Sequence, residues 1–272
     1  MTDPIRIALL GADGRMGLAL IAQIFENPQA HLVAGVSAPG SANLGKDLGE
    51  MAGLSAFGVA LTSDLRAALN ICDVLIDFSA PKSAIDAALM MSGVSCKAMV
   101  SGTTGFTQSE ETAFNLAGDD VCLVQSGNFS MGVNVLTALV ARAAKALNGD
   151  WDAEVLEMHH RHKIDAPSGT ALMLGRAIAD GRDVDFDDKA VLSREGQTGA
   201  RRDGDIGFAA LRGGSVVGDH EVILASELEM ITLSHRALDR SVFARGALTA
   251  ALWAAGHAKG KYDMGDVLGL KD

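Results

Sequence analysis

Positive charge is what this chain lacks most: 23 lysines and arginines stand against 34 aspartates and glutamates, a formal net charge of −11 over 272 residues. General nucleic-acid binding relies on lysine and arginine to neutralise phosphates, so no nucleic-acid partner is expected. No apolar run approaches the roughly 20 residues that span a bilayer, so no membrane partner is expected either. Cysteine is scarce. Cys72, Cys96 and Cys122 are odd in number and far apart, unlike the close pairs of a zinc site, and each sits in or beside an apolar segment, as buried thiols do. Aromatics are few, with one tyrosine and two tryptophans. There is no internal repeat and no low-complexity linker. Met1-Thr2-Asp3-Pro4-Ile5-Arg6 enters an apolar segment without a basic leader or cleavage signal, which leads us to expect a cytoplasmic protein.

What is present is an ordinary folded composition, 48% apolar and 21% charged, rich in alanine, glycine, valine and leucine. Such a chain fits one large or two modest domains of closely packed helices and strands. Short apolar runs at 5–10, 31–36, 73–78, 97–100 and 121–125 alternate with helical stretches near 15–25 and 81–91, the order of right-handed βαβ crossovers in a parallel sheet. The pattern changes after Phe129. A helix is expected over 131–147, a strand over 151–158 and a helix from Ser168 to about Asp180. Between Ile206 and His235 the alternation has period two, as in Glu221-Val222-Ile223-Leu224, which predicts an antiparallel or mixed sheet with a hairpin turn at Gly213-Gly214. Another alanine- and leucine-rich helix spans 240–258. We therefore expect an α/β protein: a Rossmann-like parallel-sheet domain from 1–129 and 240–272, and an α+β domain with a mixed sheet from 130–239.

Gly11-Ala12-Asp13-Gly14-Arg15-Met16-Gly17 lies between the first strand and the first helix, where a dinucleotide-binding turn belongs. Gly11 permits the tight turn, Gly14 lets main chain approach a pyrophosphate, and Gly17 allows close helix–strand packing. Ser101-Gly102-Thr103-Thr104-Gly105 and Ser126-Gly127-Asn128-Phe129 end strands at the same sheet edge, where a nicotinamide ring can lie against main chain. The acidic residue that usually ends the second strand and holds a ribose 2′-hydroxyl is missing; the segment reads Val36-Ser37-Ala38-Pro39-Gly40. With no carboxylate there to repel a 2′-phosphate, and with Arg15 or the Ser37 hydroxyl to contact one, NADPH is expected to serve at least as well as NADH.

Against the acidic background, His159-His160-Arg161-His162-Lys163 gathers five nitrogen-bearing side chains in consecutive positions and runs through Ile164-Asp165-Ala166 into Pro167-Ser168-Gly169-Thr170. Ser168 can cap a helix whose first N–H groups, near Gly169 and Thr170, point at an anion. Imidazoles beside a lysine supply proton donors near neutrality. The plainer readings are a solvated loop for His159 and Lys163, a structural ion pair for Arg161 or His162, and turn-fixing for Asp165. A metal site at His160 and His162 is disfavoured by the flanking cations. His220 and His235, on expected strands, read as structural histidines. The stretch from Ser193 to Gly207 reads equally as a loop at a subunit contact or as a plain surface loop.

These pieces together resemble the dihydrodipicolinate reductase family, the 4-hydroxy-tetrahydrodipicolinate reductases of bacterial lysine and diaminopimelate biosynthesis. The matching motifs also include Asp77-Phe78-Ser79, Asn128-Phe129-Ser130 with Gly132-Val133-Asn134, Ser193-Arg194-Glu195-Gly196 and Ile206-Gly207-Phe208. The resemblance implies reduction of 4-hydroxy-tetrahydrodipicolinate with NADPH or NADH, a small dicarboxylate as substrate and a homotetramer; from the residues themselves no metal is expected. It implies His159 and Lys163 as the catalytic pair, and His160, Lys163, Gly169 and Thr170 as substrate contacts. Cofactor contacts would be Gly11, Ala12, Asp13, Gly14, Arg15, Met16, Gly102, Thr103, Thr104, Ser126, Gly127, Asn128 and Phe129, with Ser37 at the ribose. Ser37 and Ala38 depart from the acidic residue and the arginine found there in some members. The rival readings are another two-domain dehydrogenase and a non-catalytic NAD(P)-sensing regulator; a sensor has no use for a matched proton donor and dicarboxylate clamp.

Overall fold

Residues 3–271 are described by the structure, a computed structural model. In chain order the first elements are β1 (Ile5–Leu10), α1 (Arg15–Glu26), β2 (Ala30–Val36), α2 (Leu48–Met51), β3 (Leu61–Thr62), α3 (Leu65–Ile71), β4 (Val74–Asp77), α4 (Pro81–Met90), β5 (Ala98–Ser101), α5 (Gln108–Asn115) and β6 (Cys122–Gln125). There follow α6 (Met131–Leu147), β7 (Asp152–His159), α7 (Gly169–Arg182), α8 (Phe186–Lys189), β8 (Ala190–Val191), β9 (Ile206–Arg212), β10 (Gly218–Ala225) and β11 (Met230–Ala237). The last are α9 (Ser241–Ala254), β12 (Gly260–Tyr262) and α10 (Met264–Val267). Two compact units result, one reaching to Met131 and resuming at Ser241, the other Gly132–Arg240. No helix of the described residues is long and apolar enough to cross a membrane.

The first unit holds a seven-stranded sheet in the order β12-β6-β5-β4-β1-β2-β3, with every pairing parallel. The side chains of β4 and β5 are buried throughout, as expected of strands covered on both faces. On one face Leu20, Ile21, Ala247 and Ala251 of α1 and α9 pack on Ile7, Leu9 and Ile76. On the other, Leu69, Ala84 and Phe114 of α3, α4 and α5 pack on Ala8, Leu75 and Met99. Because β1 pairs with both β2 and β4, the strand order reverses beside it, and ligands of open α/β sheets bind outside the strand C-termini at such a point. The segment 48–71 holds α2, β3 and α3, which the sequence reading did not resolve; a four-residue helix and a two-residue strand are too short to show a period. One carboxylate organises this segment, Asp47 accepting from the backbone N–H groups of Gly49, Glu50, Phe57 and Gly58. The C-terminal helix stops at Ala254, short of the expected Ala258, and the chain then adds β12 to the sheet edge beside β6.

The second unit holds a five-stranded mixed sheet, β11-β10-β7-β9-β8, with β7 in the middle, antiparallel to β10 and parallel to β9. β7 alternates, with Ala153, Val155, Glu157 and His159 buried, and Val140, Leu174 and Ile178 of α6 and α7 complete the core on that side. Gly213-Gly214 is not a hairpin turn. β7 lies between β9 and β10, so the link from Arg212 to Gly218 passes over the end of β7, where Gly213 N–H donates to the His159 carbonyl at 2.9 Å and Arg161 N–H to that of Gly214 at 3.3 Å. Local turn chemistry cannot reveal an intervening strand from elsewhere in the chain.

Candidate active site

The glycine turn after β1 is shaped by contact with the loop after β4. Gly11 has φ +80°, in the left-handed region, and a Cβ there would fall 2.6 Å from the Phe78 carbonyl oxygen. A Cβ on Gly17 would lie 2.4 Å from the Ala12 and Gly11 carbonyls, so only glycine lets α1 start this close to the turn. Gly14 is the N-cap of α1 in extended conformation and makes no side-chain cap, leaving the first helical N–H groups available to an anion. A side chain at Gly102 would enter the Phe78 ring, 2.2 Å away. Ala12 and Phe129 are core side chains, 0% and 2% exposed, and Phe129 meets Phe78 edge to face at 5.6 Å, so what these two offer a ligand is main chain. Arg15 and Thr104 are exposed, and Met16 is half-buried against the core.

Asp77, fully buried at the end of β4, ties the loops of this edge together. Its carboxylate accepts from the Ser79 hydroxyl and N–H, from Ser101 Oγ at 2.6 Å and from Thr103 Oγ1 at 2.8 Å. Burial pushes its carboxyl above the ordinary range even against those donors. Next along the edge, Ser126 Oγ donates to the Asn128 carbonyl at 2.8 Å, and Asn128 Oδ1 accepts from Ser130 N–H. Of the residues expected to meet a cofactor, Gly102 and Thr103 are therefore held by Asp77. The glycine cradle and the uncapped start of α1 fit a dinucleotide. Glycine turn, Gly102-Thr103-Thr104 and Ser126 to Phe129 all follow strands of the one sheet.

The premise of a carboxylate-free ribose end is overturned. Ser37, just past β2, donates to Asp13 Oδ1 at 2.6 Å, and Ser41 donates to Asp13 Oδ2 at 2.6 Å. β1 and β2 are adjacent and parallel, so the loops at their ends adjoin, and a carboxylate from the first loop fills the place left vacant in the second. Burial alone would raise the Asp13 carboxyl, but the two serine hydroxyls and further donors bring it below the usual carboxylate range, so it is ionised at neutral pH.

In the second unit the basic run starts at the last residue of β7. His159 and Glu157, two apart on one strand, share its buried face, and His159 Nδ1 lies 2.6 Å from Glu157 Oε2. Arg212, paired with His159 in the β7–β9 register, clamps the same carboxylate, Nη1 to Oε2 at 2.7 Å and Nη2 to Oε1 at 2.8 Å. The Ser168 N–H adds a bond to Oε1 at 3.1 Å. Burial works against the Glu157 charge, but Arg212 and His159 outweigh it and hold the carboxyl below its ordinary range. An ionised partner can only accept, so His159 Nδ1 carries the proton and Nε2, beside Gly218, is the nitrogen left for chemistry.

Ser168 caps α7 as expected, accepting from Ala171 N–H at 3.2 Å, and its hydroxyl also lies 3.2 Å from His220 Nε2. His220 meets the His159 ring edge to face at 5.1 Å; burial first, then the neighbouring His159, lowers it to about 4, so it is a neutral wall of the site. Lys163 Nζ bonds Asp165 Oδ1 at 2.8 Å. His160 is partly buried, and its Nδ1 has no hydrogen-bond partner in the protein. Burial, followed by the charges of Arg240, His159, His162 and Lys163, lowers its pKa. Arg161, His162 and Gly169 are exposed, and Thr170 is half-buried. The sequence reading missed Glu157, Arg212 and the site role of His220. The E-x-H spacing on one strand carried the signal for Glu157, whereas Arg212 and His220 arrive through strand register alone. The stretch after Ser193 is tied to β7, with Arg194 and Arg201 both bonded to Glu154.

Two family models match, described as the N-terminus of dihydrodipicolinate reductase over residues 5–129 and its C-terminus over 132–268. A 4-hydroxy-tetrahydrodipicolinate reductase of Parvibaculum lavamentivorans is 51% identical over 272 residues, covering 100% of both chains. One from Allorhizobium ampelinum is 51% identical over 267 residues, covering 98% of each. Among solved structures, a dipicolinate-bound dihydrodipicolinate reductase from Paenisporosarcina sp. TG-14 aligns with TM-score 0.76 and 25% identity, over 96% of this chain and 97% of that one.

Proposed function

The chain belongs to the dihydrodipicolinate reductase family, and we propose that its proton chemistry is carried by His159 and Lys163. It is an NAD(P)H-dependent oxidoreductase that converts 4-hydroxy-tetrahydrodipicolinate to tetrahydrodipicolinate in lysine and diaminopimelate biosynthesis. The overall change needs a hydride and a proton and removes the 4-hydroxyl as water. A bound reduced nicotinamide supplies the hydride; Gly11 to Met16, Ser37, Gly102 to Thr104 and Ser126 to Phe129 hold that cofactor.

The observation that carries the assignment is the Glu157 clamp, which gives His159 one tautomer and one orientation at the mouth of α7. Lys163 exchanges Asp165 for a substrate carboxylate, and with that ammonium next to the ring it is the proton donor. His159 is the second acid/base group. His160, Gly169 and Thr170 hold the carboxylates, the last two through N–H groups at the start of α7, where the helix dipole favours negative charge. The dipicolinate bound to the relative from Paenisporosarcina, itself a cyclic dicarboxylate, supports this reading. We take residues 1–129 with 240–272 as the cofactor domain and 130–239 as the substrate domain. The protein works in the cytoplasm as a homotetramer.

The test is NAD(P)H oxidation with enzymatically generated 4-hydroxy-tetrahydrodipicolinate. Lys163→Ala should lower turnover by about 10²- to 10⁴-fold, the usual range for a lost general acid, with dinucleotide affinity unchanged. Turnover within tenfold of the parent would remove Lys163 from its role.

A further inference from the structure

We propose that Asp13 takes the place of the acidic residue missing after β2 and makes the protein select NADH over NADPH. The inference rests on the reading that the first unit binds a nicotinamide dinucleotide. In parallel-sheet dinucleotide sites a carboxylate at the end of the second strand accepts from the ribose diol, and an arginine there accommodates a 2′-phosphate. Here the second strand ends in Ser37, and its hydroxyl donates to Asp13 at 2.6 Å, so a carboxylate occupies that end of the sheet although it comes from a different loop.

Ser37 donates to Oδ1 and Ser41 to Oδ2, and the Asn43 side chain and the Asp13 N–H act on the same carboxylate. A ribose hydroxyl binds Asp13 by replacing one of these neutral donors, which leaves the charge in place. Asp13 also faces a cavity of about 660 Å³ whose other charged lining groups are Lys46, Asp47 and Glu50. That is three carboxylates against one ammonium, and the Lys46 side chain is exposed, its Nζ held by Asn43 Oδ1 at 2.9 Å. A dianionic 2′-phosphate placed beside Asp13 meets like charge, while a 2′-hydroxyl gains a charged acceptor. Arg15, exposed at the first turn of α1, is the nearby cation opposing this preference.

Direct titration of the wild-type protein with NADH and NADPH, without substrate, should give an NADH affinity higher by about tenfold or more, the worth of one charged hydrogen bond. Asp13→Asn keeps the shape and one acceptor but removes the charge. It should shift the NADPH-to-NADH affinity ratio by about tenfold toward NADPH. Equal or NADPH-favouring binding by the wild type, or an unchanged ratio in the variant, would overturn the proposal. A salt series on the unmodified protein gives the sign of the local field even if the variant fails to fold. Screening should narrow the NADH advantage; a widening would mean that Lys46 and Arg15 dominate and Asp13 does not select. Failure of both dinucleotides to bind would instead bring down the cofactor reading itself, and this proposal with it.

Discussion

Glu157 meets three donors at once, from His159, Arg212 and the Ser168 main chain, with its side chain 1% exposed. Removing its charge leaves Arg212 without its counter-ion. Breaking one partner of a buried pair costs about 3–5 kcal/mol, so Glu157→Gln should lower the melting temperature visibly. It should also lower kcat by about 10²-fold or more with little change in KM, since a misoriented imidazole affects the reaction more than ground-state binding. Arg212→Ala is the contrast. It destabilises the clamp but leaves the Glu157–His159 bond, so kcat should fall less than in the glutamine variant. Equal losses in the two would reduce Glu157 to a structural residue.

The elements β7, β10 and α7 converge on this layer, and their meeting is pH-sensitive through His220. Its folded value of about 4 lies below its ordinary 6.5, so the unfolded chain binds the proton first and stability falls as pH drops from 6.5 toward 4. At pH 5 the loss relative to pH 7 amounts to about 2 kcal/mol from this group. Denaturant midpoints at the two pH values should differ accordingly, and His220→Asn should flatten the difference; an undiminished slope would point to other groups. Glu157 acts in the same direction at lower pH. Its depressed value means that its contribution is present above the ordinary glutamate range and is lost as pH falls through the folded value. The link after β9 belongs to the same layer, since Gly213 and Gly214 fasten it over the start of the basic run.

For the whole molecule, the face of the mixed sheet opposite His159 bears on assembly. Cross-strand register puts Met158 with Leu211, and Ile223 with Thr232, on that face, where Leu211 is 48% and Met230 64% exposed. A central sheet leaving such side chains open suits a subunit interface. Sedimentation should give four times the 28.2 kDa chain mass. The double substitution Leu211→Glu with Met230→Glu should shift it to smaller species while leaving dinucleotide binding in place. A wild-type protein sedimenting at the mass of one chain would exclude the assembly.

The sequence alone determined the parallel sheet, the glycine turn, the Ser168 cap and the basic run at the end of β7, because each is a local signal: a buried apolar strand, a residue type that a turn requires, a cap three residues from its N–H, or five nitrogen side chains in a row. It was silent on β3 and β12, two and three residues long, which exist only because a neighbouring strand pairs with them. Tertiary structure decided that Gly213-Gly214 spans β7, that Arg212 and His220 reach His159, and that Asp13 stands at the end of β2. In each case the deciding fact is which strands are neighbours, a property of the whole chain's burial that no local window contains.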